Sequence, residues 1–373
     1  MRKKYSEISG THKWVPVLPP NEVDASEVIK ALGIYENRKI SAATSAVADI
    51  SDFLRLTLPS VQHYSPPRGL VRQFLSKFFA PEMPIGLSWG FRERVDFNAS
   101  AGGRNESFVI SINYGAILLA ASLCCEIAAI EQEGASKSKT SSLEDLFSVM
   151  PATPKGISRY QQLLRMTMLY LFGHEFAHVV GGHCGYLDLV KKMSDADRRA
   201  IELDADHVSG YAAGAWITQN TGVATQLGWL PKATLANDTQ LIELCVLASL
   251  TLFTLYQKLS DGASEKYLPP ETRSCVFLST LIHYVELGPE LPIKPKVVIN
   301  PICLEEVAIG RMRQKMISLL RLTSVAAAVS KVEPTAQAFA QIKDTYSNRE
   351  KLKEILNRCR PSNAKEYLEH AMT

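Results

Sequence analysis

Met168-Leu-Tyr-Leu-Phe-Gly-His-Glu-Phe-Ala-His-Val-Val-Gly-Gly182 is the stretch on which the reading of this chain turns. It carries His174-Glu-Phe-Ala-His178 inside a run that is apolar on both sides. Residues four apart on a helix share a face, so both imidazoles can reach one metal ion with Glu175 beside them. Gly156-Ile-Ser158 opens this helix and Gly181-Gly182 can end it. The alternative reading is a solvated helix face, but the apolar flanks predict burial. Two histidines and a glutamate buried without partners would cost on the order of several kcal/mol, and a metal removes that cost. Zinc lowers the pKa of a water to about 7, so a carboxylate that is not a ligand can take its proton while a carbonyl is polarised. The motif therefore predicts Zn2+ as cofactor, His174 and His178 as ligands, and Glu175 as catalytic base.

A third ligand is needed, and Glu202-Leu-Asp-Ala-Asp206 offers it. Ser194-Asp-Ala-Asp197 has the form of a capping box, with Asp in place of Glu, and opens a helix reaching about Ile217. Glu202 lies far enough past His178 for a loop and an antiparallel return. Asp206, one turn further on the same face, can accept the outer N–H of His174 or His178 and so fix its tautomer. As isolated acids, both would read as solvated helix residues. In a competing scheme of metzincin form, Gly181 stands in register but Cys184 occupies the third-ligand position and His183 falls one residue short. His183 then reads as a helix-end or pocket-lining residue.

Away from the motifs, Arg94 to Ser100 and Ser107 to Tyr114 alternate in polarity around Ala101-Gly-Gly-Arg-Asn105, the pattern of a β-hairpin with a Gly-bearing loop. Helices are expected at Ser26 to Tyr35, Ser41 to Leu56 and Leu70 to Phe79, and later at about 239–259, 271–286, 303–331, 347–358 and 363–371. Glu131 to Ser142 is polar and reads as a flexible loop. The fold class expected is mainly α with a small β-sheet. The chain divides into a helical N-terminal region (1–91), a core (92–290) and a helical C-terminal region (291–373).

A net charge of +3, with Lys and Arg spread along the chain, gives no footprint for nucleic acid. The basic start lacks the apolar core of a secretory signal. Ala116 to Ile130 is interrupted by Glu126, and Leu244 to Tyr256 falls short of the roughly 20 apolar residues a membrane span needs. Seven cysteines (124, 125, 184, 245, 275, 303 and 359) without framework spacing fit buried free thiols in a reducing compartment. A cytoplasmic location without membrane insertion is the expectation; the oligomeric state is not legible.

The two metal motifs together resemble those of the gluzincin metallopeptidases of the HtpX and CAAX-prenyl-protease family, which pair a motif of this form with a later Glu-x-x-Ala-Asp. The family often carries a further His five residues on, as at His183. The resemblance implies a zincin-like core spanning roughly residues 92 to 275, zinc ligands His174, His178 and Glu202, base Glu175, outer-shell Asp206, and a protein or peptide substrate. Asn98-Ala-Ser-Ala-Gly-Gly103 and Phe108-Val-Ile-Ser-Ile-Asn-Tyr-Gly115 are similar to the family's Asn-Ala hairpin, whose edge strand pairs with the substrate backbone. That makes Asn98 and Ala99 substrate-binding by resemblance; alone, Asn98 reads as a turn residue. Tyr267-Leu-Pro-Pro-Glu-Thr-Arg273 is similar to a segment that normally begins with His-Pro-Pro. Leu268 replaces the oxyanion-stabilising histidine, and Tyr267 is the nearest substitute donor, ahead of His283 and His207. Soluble Lit-like bacterial peptidases share such a core. The activity implied is zinc-dependent endopeptidase; the alternatives are a non-catalytic zinc sensor or a regulatory or defence protein acting on one partner.

Overall fold

The computed structural model describes residues 86–92, 98–104, 107–133, 153–190, 192–219, 238–259, 267–287, 306–323, 325–326, 329 and 336–361. The helices expected before residue 80 and at 363–371 lie outside these residues. Within them the chain is mainly helical with a small β-sheet.

Three strands come first: β1 (Gly86–Arg92), β2 (Ala99–Arg104) and β3 (Ser107–Asn113). β3 lies in the middle, parallel to β1 and antiparallel to β2. Two corrections follow. Ala101-Gly-Gly-Arg104, expected in the hairpin loop, belongs to β2 itself, paired through to Ser107. β1 was not anticipated, because two glycines and flanking prolines mask its pattern. Its partner β3 is held by burial of Phe108, Ile110 and Ile112.

Helix α1 (Tyr114–Glu133) follows β3 directly and lies against α2 (Pro154–Val180). It runs through Glu131, which the sequence reading gave to a loop, and a bidentate Arg159–Glu131 pair (2.7 and 3.1 Å) clasps the two helices. Thr153 caps α2 by accepting from the Gly156 N–H, and Pro154 fits its first turn. From Leu163 onward the described side chains of α2 are almost all buried, as expected for a helix apolar on every face.

Gly181 and Gly182 break α2, and the short α3 (His183–Leu189) turns the chain back. Ser194 then caps α4 (Asp195–Gln219), accepting from the Asp197 N–H at 3.0 Å as the capping-box reading requires. α5 (Asp238–Leu259) and α6 (Pro270–Leu287) complete the core around α2 and α4. Over Thr239–Gln257, α5 is long and apolar enough to span a membrane, longer than the segment marked in the sequence, and 78% of that stretch is buried in the fold. α4 and α6 meet closely at Gly210, where a Cβ would lie 2.2 Å from the Phe277 carbonyl oxygen.

Two further helices follow among the described residues, α7 (Glu306–Leu320) and α8 (Ala336–Cys359). The single helix expected over 303–331 therefore stops at Leu320, where Arg321 and Leu322 turn back on Ile317 and Leu319. The helix expected at 347–358 begins earlier, at Ala336. α8 packs its Leu352 and Leu356 on Tyr186 of α3 and on Ala200 and Ile201 of α4. Cys124, Cys125, Cys184 and Cys245 are buried free thiols.

Candidate metal centre

One helical turn of α2 sets His174 and His178 edge to face, with ring centroids 4.8 Å apart and Nε2 atoms 3.1 Å apart. α4 runs alongside and delivers Glu202, whose Oε2 is 3.3 Å from His174 Nε2 and whose Oε1 is 3.9 Å from His178 Nε2. Taken one atom per residue, the three donors lie within 4.8 Å of one another, and tetrahedral zinc with bonds near 2.1 Å separates its donors by about 3.4 Å, so a modest turn of the carboxylate brings the group to that spacing. His174 is buried, whereas the Glu202 and His178 side chains are 20% and 14% exposed, so the triangle opens to solvent on their side.

The supports behind the triangle are buried. His174 Nδ1 lies 3.0 Å from Asp206 Oδ1, an ion-pair distance with the N–H off the line of an ideal hydrogen bond. Arg273 of α6 grips Asp206 with two hydrogen bonds (2.7 and 2.8 Å) and reaches Glu202 Oε2 at 3.2 Å. The guanidinium is stacked 4.7 Å over the Phe253 ring and 5.7 Å from that of Tyr256. On the other side, His178 Nδ1 contacts His183 Nδ1 at 2.9 Å, His183 Nε2 contacts Asp204 Oδ2 at 3.0 Å, and Arg349 of α8 donates to Asp204 Oδ1.

These contacts set the protonation of the group. Burial alone would depress the His174 imidazole, but the close carboxylates of Asp206 and Glu202 push it up to about 10. Burial and the neighbouring His174 charge hold His178 well below the ordinary histidine value. Burial acts upward on Glu202, yet the His174 hydrogen bond, both imidazoles and Arg273 hold it well below the carboxylate range. Glu175 differs from its neighbours: burial pushes its carboxyl up to about 7, against the pull of the His174 charge and of a hydrogen bond from the Ala101 N–H.

That last bond joins the sheet to the site. Asn113 N–H donates to the Asn98 carbonyl at 3.0 Å, which makes Asn98 and Asn113 a hydrogen-bonded pair. Alternation along β2 then turns the N–H and C=O groups of Ala99, Ala101 and Gly103 away from β3. Asn98 is exposed and Ala99 buried at the start of this edge.

No protein-family model, curated protein or solved structure matches this chain. The donor geometry therefore carries the reading alone. His174, His178 and Glu202 form a group able to hold a metal ion; Cys184, the ligand of the competing scheme, is not part of it. Among the described residues no hydrogen bond, ion pair or ring contact joins Tyr267 to this group. Leu268 is packed with Leu203 and Val276, while Arg273, at the end of the same segment, reaches Asp206 and Glu202. His283 is exposed, and His207 bonds Thr280. Tyr256 of α5 is the phenol this fold brings near the site: burial raises its pKa, and the Glu175 charge raises it further. Sequence reasoning missed Tyr256, Asp204, Arg349 and the role of Arg273. Asp204, Tyr256 and Arg273 stood in segments already singled out, each without a role assigned to it.

Proposed function

We propose that this chain is a zinc-dependent endopeptidase of the gluzincin type, similar to the HtpX and CAAX-prenyl-protease family. The observation that carries this reading is a glutamate that is not part of the donor triangle, buried on the same helical turn as His174, its carboxyl pushed up by burial and held by the Ala101 N–H. A purely structural site has no use for such a group. Bound at His174, His178 and Glu202, zinc would supply Lewis acidity toward a water and a peptide carbonyl. Glu175, its carboxyl raised by burial, takes a proton from water at the open side of the triangle and returns it to the departing amine, since a base works best with a pKa near the working pH.

Among the described residues no strand pairs with the outer edge of β2, and that edge supplies the means of holding an extended peptide. Ala99 and Gly103 offer main-chain groups spaced for strand addition, while the Ala101 N–H orients Glu175. Tyr256, whose buried phenol feels the charges of Glu175, Arg273 and Glu202, joins Tyr267 as a candidate donor to developing negative charge. The second reading, a zinc sensor without catalysis, rests on the same triangle and differs only in what Glu175 does.

Glu175→Gln separates the two. Peptidase action predicts unchanged zinc content and cleavage of an unfolded protein substrate reduced by about 10²–10⁴-fold, the range for a lost general base. Parental cleavage by the variant, or none by the zinc-loaded parent on any peptide library, would favour the sensor.

A further inference from the structure

The metal triangle accounts for Asp206 and Arg273 but leaves a second buried polar chain unexplained. His183, Asp204 and Arg349 are each more than nine-tenths buried. They come from α3, α4 and α8, and Asp204 and Arg349 are 145 residues apart in sequence. An ion pair that merely fastened α8 to α4 would have no need of a histidine between Asp204 and a metal ligand.

The polarity of the chain is fixed from both ends. A ligand nitrogen must present a lone pair to the ion, so His178 carries its proton on Nδ1 and donates it to His183 Nδ1. His183 must then hold its own proton on Nε2. An ionised carboxylate only accepts, and Asp204 Oδ2 stands at 3.0 Å to receive that proton. Arg349 fixes the other carboxylate oxygen and balances its charge. Reversing any link would aim an N–H of His178 into the donor triangle.

We infer that Arg349 on α8 is a positioning residue for the metal site, acting through Asp204 and His183 to hold His178 in its ligating tautomer. Docking of α8 on α3 and α4 is thereby coupled to metal affinity. Outer partners of histidine ligands typically change metal affinity by about 10–100-fold.

The inference rests on the metal-site reading, and its test begins without metal. In the metal-free parent, labelled with 15N-histidine, ring nitrogen shifts are expected to show His178 protonated at Nδ1 and His183 at Nε2. A His178 proton at Nε2 overturns the inference even if the parent later binds zinc. The paired replacement Asp204→Leu with Arg349→Met removes both charges together, which spares the fold an unpaired buried ion. It is expected to release the His178 tautomer and weaken zinc, measured by chelator competition, about 10–100-fold. Arg349→Lys, which keeps the positive charge, is expected to retain the parental tautomer. Parental zinc affinity and parental ring shifts in the folded double variant would show Arg349 to be structural only. A parent that takes up no zinc defeats the proposed function instead, while the ring shifts still decide the tautomer.

Discussion

The two histidines of the donor triangle sit one helical turn apart, yet they are supported in different ways. His174 leans directly on Asp206, and the Arg273 that grips Asp206 also touches Glu202. His178 reaches its carboxylate only through His183, and the matching arginine comes from the last described helix. Both carboxylates belong to α4. At about 100° per residue, Asp206 returns to the Glu202 face while Asp204 points to the far side. One helix therefore supplies a ligand and the anchors of two arms, one short and local to the core, the other long and dependent on α3 and α8. The difference teaches that a compact motif can hide an extended support.

Cutting the short arm is expected to do the most damage. Asp206→Ala leaves Arg273 and the His174 ring buried without their carboxylate, a loss of about 3–5 kcal/mol. Denaturant unfolding checks this; a change under 1 kcal/mol would mean that the arm is not under load. pH sharpens the contrast next. With its value near 10, His174 holds a proton where an ion would bind, and His178, held low, holds none. Below that value the ion must displace one proton, and above it none. Zinc affinity should therefore rise about tenfold per pH unit from 7 toward 10 and then level off, about a hundredfold between pH 7 and 9. A flat profile from chelator titrations would place no proton on the short arm.

The smallest effect is expected from loosening the long arm at its hinge. Gly182 has φ of +80°, and a Cβ there would lie 2.4 Å from the Leu356 carbonyl oxygen of α8. Gly182→Ala thus strains the backbone by about 1–2 kcal/mol and pushes α8 outward. Stability should fall by at least that amount, and zinc affinity with it. Unchanged melting and zinc affinity would uncouple α8 from the site.

How much of this was legible follows from where the information sits. His174, His178, Glu202 and Asp206 could be read because helical periodicity puts spacings of four on one face, and the Ser194 cap could be read because its bond is local. The Asp204 arm could not, since nothing in the chain near Asp204 announces an arginine 145 residues away. The same holds for Tyr256, which reads as one more residue of an apolar helix until tertiary packing brings it within electrostatic reach of Glu175. Leu268 shows the converse: it is packed with Leu203 and Val276, while Arg273 five residues on reaches the donor triangle. β1 was missed because its pairing to β3, rather than its composition, makes it a strand.

The central claim is that His174, His178 and Glu202 share one ion. Metal analysis of the purified parent beside Glu202→Ala tests it most directly. The account predicts about one zinc per chain in the parent and little or none in the variant after dialysis against a weak chelator. Equal zinc in both proteins, or none in the parent, would contradict it.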